Sequence, residues 1–147
     1  MAVTNTGAFG QAPNMLFGGV LTTAKSAPLS GATNVVNLGT PGANGTIITG
    51  VTAIPRDTLA TAAHIALYFS NDAGTTYYLI SVGLLAAWTF ATTTAPTPLN
   101  MTNLDGSVIS AANPLYVPYV GGAGRLAAST SVSLANGIMV TANGVDL

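Results

Sequence analysis

His64 is the single histidine of the chain, and the sequence gives it few partners for chemistry. There is no glutamate and no cysteine, so the carboxylates are Asp57, Asp72, Asp105 and Asp146, and no thiolate can serve as nucleophile or metal ligand. General acid–base catalysis usually needs two groups with separated pKa values. Here Asp57 follows Arg56, Asp72 and Asp105 precede turn glycines, and Asp146 adjoins Leu147. Asp side chains in such positions cap their own backbone. A calcium ion needs more converging oxygens than this spacing offers. His64, beside Ala66 and Tyr68 on a strand-type run, reads as a partly exposed sheet residue. The sequence therefore predicts a protein that is not an enzyme, with no catalytic, cofactor-binding or metal site and no cofactor.

Two further patterns invite a functional reading. Gly121-Gly122-Ala123-Gly124 superficially matches a phosphate loop, but no Lys-Ser/Thr follows it and no strand–helix unit surrounds it, so it reads as a backbone bend. Tyr77, Tyr78, Trp88 and Phe90 could form a sugar-stacking platform; burial in a small sandwich is the competing use of large aromatics.

The elements that would position these residues are strands. Ala62–Ser70 alternates Ile65, Leu67 and Phe69 against His64, Ala66 and Tyr68, and Asn71-Asp72-Ala73-Gly74 supplies a turn. Tyr77–Leu85 would return, with Tyr77, Leu79, Ser81 and Gly83 on one side and Tyr78, Ile80, Val82 and Leu84 on the other. Thr46–Ile54 also alternates and is closed by Pro55. Shorter strand signals fall at Val20–Ala24, Ala32–Leu38, Leu99–Leu104, Leu115–Val120, Arg125–Ser129, Ser131–Leu134 and Gly137–Thr141. Residues 91–114 read as a long connection, and at most one helical turn is expected near Asp57–Ala62. The expected fold class is all-β: a single-domain antiparallel β-sandwich, jelly-roll-like, over residues 16–147, preceded by an extended N-terminal arm over residues 1–15.

Composition narrows the function. At 147 residues one core is expected. Only 5% of residues are charged, against an average of about 25%. The cations Lys25, Arg56 and Arg125 are too few to neutralise the phosphates of a nucleic acid. Disorder is disfavoured, because a mean hydropathy of +0.54 is far from the low-hydrophobicity, high-charge regime. The longest apolar run, Val82–Trp88, falls short of the roughly 18 residues that span a bilayer, and no basic residue precedes Lys25 to begin a secretory signal. Nucleic-acid and membrane partners are thus excluded. A net charge of −1 gives little colloidal repulsion, which favours an assembled state.

The order of segments from Leu16-Phe17-Gly18-Gly19-Val20-Leu21-Thr22-Thr23-Ala24, through Gly42-Ala43-Asn44-Gly45-Thr46-Ile47-Ile48, to His64-Ile65-Ala66-Leu67-Tyr68-Phe69-Ser70 resembles small virion structural proteins of tailed bacteriophages, the head decoration or cement proteins. Tyr78-Leu79-Ile80, Gly124-Arg125-Leu126 and Gly144-Val145-Asp146-Leu147 match its later elements. Two positions depart from it: His64 stands where a basic residue is common, and Leu147 replaces a terminal aromatic. The resemblance implies a non-enzymatic capsid decoration protein on the virion surface. Such a protein is made in the host bacterial cytoplasm, is homo-oligomeric in the particle, and is partnered by the major capsid protein or other virion subunits. The alternatives are a tail, neck or fibre component or the shell subunit itself and, from another class, a carbohydrate-binding module using Tyr77 or Trp88.

Overall fold

Runs of β-branched and apolar residues alternate with small polar ones, and clusters of Gly, Pro, Asn and Asp end them; this is the pattern of half-buried strands. The computed structural model describes residues 12–25 and 33–147. Within them lie nine strands: β1 (Ala12–Leu21), β2 (Val36–Gly39), β3 (Thr46–Pro55), β4 (Ala63–Ser70), β5 (Tyr78–Leu85), β6 (Leu99–Asn100), β7 (Leu115–Val117), β8 (Arg125–Thr130) and β9 (Ile138–Asp146). A 3-10 turn occupies Val120–Gly122. Among the described residues no helix is long and apolar enough to cross a membrane.

The strands form two antiparallel sheets, β1-β9-β3 continued by β6 and β7, and β2-β8-β4-β5. β6 pairs with Thr52–Ala53 and β7 with Thr46–Ile48, so together they make one edge strand of β3 interrupted by residues 101–114. With β6 and β7 counted as one, the chain passes from sheet to sheet at every step except the β4–β5 hairpin. Each sheet then interleaves early and late strands, which is the jelly-roll arrangement of the sandwich.

The inward faces meet in one core around Phe17, Ile48, Val51, Ile65, Leu67 and Leu126, all buried. Burying one such side chain contributes about 1.5–3 kcal/mol. A surface ion pair offers about 0–1 kcal/mol, and the chain has three cations and four carboxylates to make them with. Apolar burial therefore holds the sandwich together.

Several expectations meet the structure directly. β3, β4, β5 and β8 fall within a residue of the predicted runs, and the Asn71–Gly74 turn joins β4 to β5 with Ala73 and Gly74 at positive φ. The strict alternation expected for β5 fails. Leu67 opposes Ser81 while Tyr68 opposes Leu79, so Ile80 is a bulged residue. Beyond the bulge Leu79 packs outward beside Tyr68, and Ile80 packs against the core.

Of the arm expected over residues 1–15, residues 1–11 lie outside the described residues. Ala12–Met15 belong to β1, with Ala12 opposite Asp146. Backbone pairing with β9 needs no apolar pattern, which is why that stretch carried no strand signal. At most one helical turn is expected near Asp57–Ala62, and none forms there: Leu59 exchanges both backbone hydrogen bonds with Trp88 (2.7 and 2.9 Å). Ser131–Leu134 is not a strand but a bend leading into the Ala135–Asn136 turn: the Thr130 hydroxyl accepts from Val132 N at 3.2 Å and draws the backbone out of the ladder.

Candidate functional site

The four carboxylates are dispersed, and each is occupied locally. Asp57 accepts from Thr58 N (2.7 Å) and from Asn136 Nδ2 (3.0 Å). Asp72 accepts from Thr76 N at 2.8 Å, Ser70 Oγ at 2.8 Å and Thr75 N at 3.1 Å. Led by the Thr76 backbone N–H, these donors lower its carboxyl from 3.8 to about 2. Asp105 accepts from the Ser107 hydroxyl (2.6 Å) and Ser107 N (2.9 Å), which hold its pKa below the ordinary value. Asp146 accepts from the Thr46 hydroxyl and from Gly42 N.

His64 is exposed on β4, opposite Leu84, and its backbone is tied to Ser131. Among the described residues no three of His, Cys, Asp and Glu are grouped to hold a metal ion. The Gly121–Gly124 segment is a bend, as expected. Gly121 and Gly122 have φ of 60° and 87°, and Arg125 Nη1 donates to the carbonyls of Gly122 and Gly124, each at 2.7 Å.

The four aromatics do not form one platform. Tyr77 meets Tyr68 edge to face with centroids 6.0 Å apart, on the outer side of β4. Trp88 meets Phe90 in the same geometry at 5.8 Å. The pairs sit at opposite ends of β5, roughly 25 Å apart at about 3.3 Å per residue.

Two further surface features stand out among the described residues, both mainly apolar. The first is the outer face of the sheet containing β3 and β9. Ile54 pairs with Met139, Thr52 with Thr141, and Ile47 with both Val145 and Tyr116. Val20 and Gly18 extend these rows across β1. Among the described residues these outward positions carry no charge, and the Thr52 and Thr141 hydroxyls satisfy each other at 2.9 Å.

The second feature is a cleft of about 350 Å³ on the side where β5 and the interrupted β6/β7 edge lie next to one another. Leu67, Ile80, Ile109 and Leu115 line it, together with Ser81 and the hairpin residues Thr102–Asp105. The hairpin is locked at its tip: Asn103 N donates to Ser107 O at 2.7 Å, Gly106 N to Asn103 O at 3.0 Å, and Gly106 takes φ 84°. It holds Leu104 82% exposed, the most exposed large apolar side chain described. The sequence marks Asp105-Gly106 as a turn and Leu99–Leu104 as a short strand, but leaves the return arm of this hairpin inside the long connection of residues 91–114. The two arms meet where Thr102 and Val108 bridge one another across Asp105-Gly106.

Compared with family models, curated proteins and solved structures, the chain finds no match.

Proposed function

We propose that this chain is a non-enzymatic structural protein of a tailed-bacteriophage virion, a decoration or cement subunit that seats on the assembled head against the major capsid protein. It is made in the host bacterial cytoplasm and carried on the capsid surface. The observation that carries this reading is the uncharged outer face of the β1-β9-β3 sheet, at its centre and toward β7, where Thr52, Thr141, Ile47, Val145 and Tyr116 lie. Lys- and Glu-rich surfaces resist desolvation, whereas a face of paired threonine hydroxyls and apolar side chains gives up its water at little cost. Asp72 and Asp105 cap their own turns, and Asp146 ties β9 to the start of β3, so these carboxylates are used in holding the fold. The segment order that resembles head decoration proteins supplies the particular assembly.

Seating of this kind rests on apolar contact and backbone hydrogen bonds. Repetition over a symmetric shell turns modest contacts into avidity. Salt therefore has little effect: raising NaCl from about 0.1 M to about 1 M shortens the Debye length from about 10 Å to about 3 Å without touching buried apolar area.

The test is occupancy on purified particles over that range, for wild type and for Thr141→Lys, which puts a charge at the centre of the face. Retention of wild type at high salt with loss of Thr141→Lys supports the reading. Stripping of wild type by salt from an intact head, or recovery of the chain with tails alone, overturns it.

A further inference from the structure

The chain's charges are so few that each can be followed individually. Lys25 is buried with Nζ on Thr33 O at 3.0 Å, and Arg125 closes the glycine bend. Arg56 is exposed, and among the described residues its guanidinium has no partner. Its neighbour Asp57 is turned to Thr58 and Asn136. Arg56 follows the end of β3, where Ile54 (37% exposed) and Met139 (36%) stand side by side as a paired apolar ridge. Among the carboxylates, Asp105 is the exposed one, and it stands beside Leu104 at the mouth of the apolar cleft. The free cation flanks an apolar ridge, and the exposed anion flanks an apolar hollow.

We propose that copies of this chain associate head to tail, the Ile54–Met139 ridge of one copy seating in the Leu104 cleft of the next with Arg56 facing Asp105. A two-fold contact of cleft on cleft would bring Asp105 against Asp105, and ridge on ridge would bring Arg56 against Arg56. Joining the unlike surfaces removes both repulsions. Because the two surfaces are different, the contact is heterologous, and it closes into a ring or propagates as a row. The ridge lies at the far end of the outer face from Tyr116, so the centre of that face stays open.

Sedimentation velocity of the purified chain over a concentration series, in about 0.05 M NaCl where charges are weakly screened, tests this. Wild type is expected to associate. Arg56→Asp and Asp105→Arg should each weaken association about tenfold or more, since like charges then face each other. The double exchange should restore it to within about threefold on the same scale. Leu104→Ser should weaken it without rescue by either exchange.

Circular dichroism checks that each variant is folded. If an exchange variant fails, Arg56→Gln and Asp105→Asn replace it, and their combination should weaken association no further than either alone. A wild type that stays monomeric at millimolar concentration overturns the proposal. So does a double exchange that is no better than the singles, or association indifferent to Arg56. Head occupancy plays no part in this readout, so its failure leaves the seating proposal standing.

Discussion

Thr46 and Asp146 are 100 residues apart in sequence and joined in space: the Thr46 hydroxyl donates to Asp146 Oδ1, which also accepts from Gly42 N at 3.3 Å. One carboxylate oxygen thus ties the turn before β3 to the end of β9. A hydrogen bond to a charged acceptor contributes about 1.5–3 kcal/mol. Asp146→Ala should lower the melting temperature by roughly 3–8 °C. Thr46→Val should do the same, and the two combined should cost clearly less than the sum of the singles. Additive losses in that cycle would show that the two residues act separately.

Asp72 provides a pH dependence of known sign. Its folded pKa is lowered from 3.8 to about 2, first by the Thr76 backbone N–H. A lowered folded value means a contribution fully present above the unfolded pKa and lost as pH falls through the folded one. Wild type and Asp72→Asn, compared by urea unfolding, should differ most above about pH 4 and converge as pH approaches about 2. A gap that does not close with acid would remove Asp72 as its source.

Gly144 and Gly50 oppose neighbouring stretches of the β3–β9 ladder yet should respond differently to alanine. A Cβ on Gly144 would lie 2.4 Å from Ile47 O, a backbone atom that cannot turn aside, whereas one on Gly50 meets nothing within 4 Å among the described residues. Gly144→Ala should cost about 2–4 kcal/mol through forced backbone displacement. Gly50→Ala should be neutral or stabilise by up to about 1 kcal/mol by restricting the unfolded chain. Equal urea midpoints for the two variants would contradict the contact geometry.

Two buried hydroxyls should respond in opposite directions. Tyr68 Oη and Ser129 Oγ share a hydrogen bond of 2.9 Å, whereas Ser81 Oγ is buried with no partner among the described residues. Tyr68→Phe should cost about 1 kcal/mol. Ser81→Ala should raise stability by about 1 kcal/mol, since it removes a polar atom that desolvation penalises. Calorimetric melting of both variants decides it, and a loss at Ser81→Ala would mean that the hydroxyl has a partner.

What could be read in the sequence was local. The β4–β5 hairpin announced itself because Ile65, Leu67 and Phe69 recur at period two and Asn71–Gly74 fits one turn. Asp72 and Asp105 were readable as turn caps because their donors, Thr75, Thr76 and Ser107, lie within four residues. The bulge at Ile80 was not readable, because nothing in Leu79-Ile80-Ser81 distinguishes an extra residue from a regular one. Nor was Thr46–Asp146, since the pattern of a strand states which face is buried and not which strand lies beside it. The outer face escaped for a related reason: Thr52 and Thr141 become neighbours only through the register of β3 on β9. The Leu104 cleft is a space between segments, and it exists only after the β5 and β6/β7 edges have been brought to the same side.

β9 lies between β1 and β3 in its sheet, paired with both along most of its length. On the ribosome, β1 and β3 are therefore made long before the strand that joins them. Until Ile138–Asp146 has cleared the exit tunnel, each presents open hydrogen-bonding edges and an uncovered apolar face. At about 5–20 residues per second, the 82 residues separating Pro55 from Ile138 leave β3 waiting roughly 4–16 s for its neighbour. The β1-β9-β3 sheet therefore cannot be completed until the last strand has been made.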